Sequence, residues 1–198
     1  MMRNKLLIIC LLILITQHIS AQNSEPENTY SHNLEISIPD VAIIGIAGPE
    51  GNGSSILLTP DISNLEAGEA VDYSTATNNS LWLNYTSITD SPGNGNGKPK
   101  PRTIKAEIDQ NLPAAFDLLL EVGTVSSGSG QTGTATQGKI TLKKGPSTVV
   151  EDIGSCFTEN GEGKGHRLTY SLGIKENQLD KVMAAEYSVT VTYTISEK

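Results

Sequence analysis

Cysteine is nearly absent from this chain. Of 198 residues only Cys10 and Cys156 are cysteine, and Cys10 lies inside an N-terminal apolar run. A disulfide framework is therefore excluded, and stability has to come from a hydrophobic core. Histidine is scarce too, with three in the chain, and this leaves little for acid–base or metal chemistry. Basic residues are in deficit, 14 Lys and Arg against 22 Asp and Glu, for a formal charge of -8. That balance argues against nucleic acid and anionic lipid surfaces, both of which are polyanions. After Ile15 no apolar run approaches the ~20 residues a spanning helix requires. Aromatic residues make up 5%, with one tryptophan, Trp82.

The N-terminus reads as a targeting segment. Arg3 and Lys5 precede the apolar run Leu6 to Ile15, and Ile19-Ser20-Ala21 ends in a small residue. This places a signal peptide over 1–21 with cleavage before Gln22. Ile9 before Cys10, and the apolar residues after it, do not fit a lipidated cysteine. Cleavage takes two basic residues, Arg3 and Lys5, so the formal charge moves from -8 to -10. The mature chain keeps one cysteine, Cys156, read as a buried thiol or an intermolecular one. Residues 22–33 are polar and read as a disordered leader. The remainder, 34–198, reads as one domain. Export places it in the periplasm, at the cell surface or outside the cell.

What the chain has in abundance is alternation. Leu34, Ile36 and Ile38 alternate with Glu35 and Ser37. Leu81, Leu83 and Tyr85 share one face of 80–88, and Trp82, Asn84 and Thr86 the other. Ile104, Ala106 and Ile108 alternate with Lys105 and Glu107; Phe116, Leu118, Leu120 and Val122 follow suit. Leu168, Tyr170, Leu172 and Ile174 repeat the pattern, and Tyr187, Val189, Val191, Tyr193 and Ile195 close the chain. A period of two buries one face of a strand and wets the other. Val41 to Ala47 is continuously apolar, as for a strand buried on both faces or crossing between sheets. Ile56 to Thr59 is a further short strand, and Asn177 to Met183 fits one short helix capped by Asn177. Residues 90–100 and 160–165 read as a loop and a turn, and 126–137 as a long flexible hairpin or loop. About nine or ten strands between Gly, Pro and Asn turns predict an all-β fold. The expected architecture is an antiparallel immunoglobulin-like β-sandwich, with a jelly roll as the alternative.

Candidate sites are few. Cys156 and His166 are the only nucleophile–base combination by type, and no family signature surrounds them. Asp90, Asn94 and Asn96, and Glu159, Asn160 and Glu162, offer oxygens without the spacing of a calcium loop, so they read as solvated turns. Gly161 to Gly165 lacks the Ser or Thr of a phosphate loop. Asn52, Asn78 and Asn84 sit in glycosylation-type triplets, which matter only in a eukaryotic host. No catalytic residue, metal or cofactor is assigned. Trp82, opposite the leucines, is the candidate contact for a glycan or a protein partner, or else a core residue.

SLWLNYTSI at 80–88, HRLTYSLGI at 166–174 and the closing AAEYSVTVTYTI resemble bacterial fimbrial subunits and spore-coat-U-like secreted domains over the C-terminal two-thirds. The resemblance implies an exported, non-enzymatic structural protein. It implies assembly by addition of one subunit's N-terminal strand to the next. Leu34, Ile36 and Ile38 would be the donor face, and Val189, Val191 and Tyr193 part of the acceptor. The leader before Leu34 does not alternate, and the disulfide of many such subunits is missing. The alternatives are a complete monomeric domain, in which 34–38 pairs at home, and a glycan-binding module or adhesin.

Overall fold

The chain folds as two antiparallel sheets packed face to face. A computed structural model describes residues 30–51, 53–90 and 99–198. Residues 1–29, with the expected signal peptide and most of the expected leader, Asn52 and the 91–98 part of the loop with Asn94 and Asn96 lie outside the described residues. The strands are β1 Val41–Ala47, β2 Thr77–Ile88, β3 Arg102–Ile108, β4 Phe116–Val125, β5 Ser129–Gly130 and β6 Thr134–Ala135. They continue with β7 Lys139–Leu142, β8 Ser147–Ile153, β9 Cys156–Phe157, β10 His166–Ile174 and β11 Val191–Glu197. All belong to a unit spanning Ile38–Lys198. Two short 3-10 turns, Tyr73–Thr75 and Glu176–Lys181, complete the described elements.

The narrow sheet runs β11-β3-β8-β6; the wide one runs β5-β9-β2-β10-β4-β7, with β1 also on β2. β2 carries three partners because it is long. β1 takes Trp82 to Ile88, while β10 takes Thr77 to Leu83 and β9 takes Thr86 and Ser87. A strand has two edges, so β10 and β9 share one and β1 occupies the other. β1 is therefore an outermost strand, as is β11 in the narrow sheet.

The alternation read from the sequence becomes the core. Leu81, Leu83, Tyr85, Leu118, Leu120, Val122, Leu168 and Tyr170 of the wide sheet meet Ile104, Ala106, Ile108, Val149, Val150 and Ile153 of the narrow one. Tyr170 and Tyr193 join the sheets through their hydroxyls at 2.6 Å. Gly165 is required where it stands. Its φ is +70°, and a Cβ there would lie 2.1 Å from the Leu83 carbonyl oxygen.

Several expectations change. Residues 34–38 form no strand, and Leu34, Ile36 and Ile38 are exposed. Alternation supplies a face, but a strand also needs a backbone partner, and no described strand pairs with this segment. Residues 56–59 are likewise outside any strand, although Ile56 and Leu58 pack on the core. β1 is not buried on both faces: Ile43 is 64% exposed. The segment 126–137, expected as a hairpin or loop, holds two short strands that pair elsewhere, β5 with β9 and β6 with β8. The turn at 176–181 starts after Lys175, so Asn177 does not cap it. The last strand begins at Val191, so Tyr187 and Val189 of the alternating set fall outside it. Residues 109 and 110 hold the preceding backbone: the Asp109 carboxylate accepts from the Thr190 amide at 2.9 Å, the Asp109 amide donates to the Thr190 carbonyl at 3.1 Å, and Gln110 donates to the Ser188 carbonyl.

Candidate functional site

Two of the outermost strands, β1 and β11, lie against each other across one side of the sandwich. Their inward residues are Ile44 and Ile46 on β1 and Val191, Tyr193 and Ile195 on β11, with Val189 just ahead. All six pack on the core and all remain only partly buried. No further strand covers either one among the described residues. The result is a half-open apolar seam. The outer edge of β1 adds backbone to it at Ala42 and Ile44, while the Ile46 end of that edge is already taken. The Ile46 carbonyl points away from β2 and accepts from the Gly53 amide at 3.1 Å. Alternation turns the amides and carbonyls of Ala42 and Ile44 the same way.

Edges of this kind template pairing with another chain unless charge or proline blunts them. The opposite edge of the wide sheet is blunted: β7 opens on Lys139 and is followed by Lys143, Lys144 and Pro146. β1 reads VAIIGIA without a charge, and β11 carries none before Glu197. Val191 and Tyr193 thus sit on the seam. Leu34, Ile36 and Ile38, the other half of the expected pairing, are 77%, 76% and 74% exposed.

Trp82 lies on the outer face of the wide sheet, opposite Arg167 on β10 and Ala47 on β1. Its ring is half-buried, and the Arg167 guanidinium carbon stands 5.5 Å from the ring centroid. Arg167 also donates to the Asn79 carbonyl at 3.1 Å. A cation already occupies one face of the indole, so a sugar stacking there has to displace it.

His166 and Cys156 are both buried, but they do not pair through the imidazole. His166 is 1% exposed. Its Nδ1 donates to the Gly123 carbonyl at 2.8 Å, and its Nε2 faces the Tyr85 hydroxyl at 2.8 Å. The Thr132 carbonyl is a second acceptor within reach of the single Tyr85 hydroxyl proton. Cys156 is a free thiol, and burial pushes its pKa up, as it does that of Tyr85. Both therefore stay protonated around neutrality, which is the opposite of an activated nucleophile. Burial pulls His166 below the usual imidazole range, and the bond to Gly123 opposes this in part.

That shift has a consequence for stability. The unfolded imidazole titrates near 6.5. With the folded value lower, the unfolded chain binds more protons below that pH. The His166 contribution is full above about pH 6.5 and is lost as pH falls through the lowered folded value. The urea midpoint is expected to decline from pH 7 to pH 5. His166→Phe should flatten that decline while lowering the midpoint at pH 7. An equal slope in the variant would contradict this assignment.

One group was not singled out by sequence reasoning. Arg102, 3% exposed, points into the end of the sandwich. Its guanidinium holds the Asp40 carboxylate, the Val41 carbonyl, the Ser87 hydroxyl at 2.9 Å and the Ile88 carbonyl at 3.1 Å. Carboxylate oxygens of Asp40, Asp90 and Glu197 gather within 4.8 Å of one another beside it, and Lys100 meets Glu197 at 3.3 Å. The 159–165 turn is fastened rather than open. Lys164 pairs with Glu159 at 2.5 Å, and Asn84 bonds the Lys164 carbonyl and the Gly161 amide. Set against known proteins, the chain matches no family model, no curated protein and no solved structure.

Proposed function

We propose that this chain is an exported structural subunit that assembles with copies of itself by strand addition. The observation that carries the reading is the half-open seam between β1 and β11. It joins two uncharged outer edges, the β1 edge bonded only at Ile46, to a partly covered core. Leu34, Ile36 and Ile38 are apolar, exposed and outside any strand, and their spacing suits such a seam. Backbone pairing would supply affinity, and side chains at every second position would supply register. The resemblance to fimbrial and spore-coat-U-like subunits, with their immunoglobulin-like sandwich, leads to the same function at the cell surface. Among the described residues no helix is long and apolar enough to cross a membrane.

The test is a gel of mature protein recovered from its host, run unboiled, boiled and reduced. A ladder that survives detergent and collapses on boiling supports strand addition. A dimer abolished only by reductant assigns association to Cys156 instead. A monomer under all three conditions overturns the proposal.

A further inference from the structure

We propose that Asp40 and Arg102 clamp the link between the exchanging segment and the sandwich, and so set the stiffness of the assembled chain. This rests on the strand-addition reading. Ile38 ends the apolar face of the segment, and Val41 opens β1. Only Pro39 and Asp40 lie between them, a link that spans roughly 10 Å at most. Pro39 fixes its own φ. Asp40 is held through its carboxylate, and the next residue, Val41, through its carbonyl, both by the same buried guanidinium.

Arg102 is well placed to act as an anchor. It stands on β3 of the narrow sheet, and its other bonds go to Ser87 and Ile88 at the end of β2 in the wide sheet. The link is thereby tied to both sheets at once. Asp90 and Glu197 press negative charge on Asp40 from within 4.8 Å. Without the guanidinium that repulsion would drive the Asp40 carboxylate outward. A planar fork with five donors serves a carboxylate, a hydroxyl and carbonyls together; an ammonium does not. With the link clamped, each subunit meets the next at a fixed angle, and with it loose the joint swivels.

Asp40→Ala is the test, because the side chain is half-exposed and alanine leaves the guanidinium no acceptor at position 40. Two readouts are needed on the mature chain. In the monomer, the β2-facing amides at the start of β1 should exchange about tenfold to a hundredfold faster, the range spanned by one hydrogen bond to a charged group. In electron micrographs, filaments of the variant should keep their detergent-stable ladder but bend more sharply than the wild type. Unchanged exchange, unchanged curvature or a lost ladder in the variant overturns the clamp. A wild-type protein that forms no ladder overturns the strand-addition reading itself, and the clamp's role in stiffness with it.

Discussion

Replacing Leu34, Ile36 and Ile38 together by serine should abolish the detergent-stable ladder and leave the monomer's urea midpoint unchanged. The three side chains are about three-quarters exposed, so the folded monomer gains little from them. Surface changes of this kind stay within about 0.5 kcal/mol each. Buried in a partner's seam, each would contribute about 1.5–3 kcal/mol, or roughly 5–9 kcal/mol for the set. Every 1.4 kcal/mol is tenfold in affinity, so even the lower figure corresponds to about three decades. The paired measurement is an unboiled gel and a urea titration on the same preparation. An intact ladder in the triple variant would show that these residues are not the exchanging face. A lowered midpoint would show that they already pack within the monomer. Glu35→Gln and Ser37→Ala, on the alternate face, should leave both measurements as they were.

Why the core was readable and the seam was not follows from what alternation encodes. A period of two says which side chains share a face. On that basis Leu81, Leu83 and Tyr85, or Leu118, Leu120 and Val122, fall inside, and they do. It does not say which strand lies outermost, because sheet order comes from long-range pairing. β1 illustrates the gap. Its run of apolar residues reads as doubly buried, yet it pairs only with β2 and leaves Ile43 in solvent. Residues 34–38 show the converse, with the right pattern and no ladder. His166 and Arg102 were half legible. Parity with Leu168 and with Ile104 places each inward, but the partners that make a buried imidazole or guanidinium tolerable lie far away in sequence. Tyr85 is 81 residues from His166, and Asp40 is 62 from Arg102. No local spacing signals such pairs.

Arg102 is also where the largest loss of stability is expected. Arg102→Ala should lower the unfolding free energy by about 3–5 kcal/mol, from an orphaned buried hydroxyl at about 1–3 kcal/mol and a large-to-small truncation at about 2 kcal/mol. The mechanism here differs from a stranded charge. Asp40 is half-exposed and regains water, whereas the Ser87 hydroxyl is fully buried and has no other described side-chain bond. An orphaned buried polar group costs about 1–3 kcal/mol, and the lost methylene stem leaves a cavity at the end of the core. Two further variants separate these contributions. Arg102→Met keeps the stem and should be less damaging than alanine. Adding Ser87→Ala to Arg102→Met removes the orphan and should restore about 1 kcal/mol or more. The check is a set of urea midpoints at constant m-value, since a changed m would signal a changed unfolded state. If Arg102→Met is as stable as the wild type, the guanidinium contributes nothing to folding. Its four contacts at the start of β1 and the end of β2 would then serve to orient the link alone.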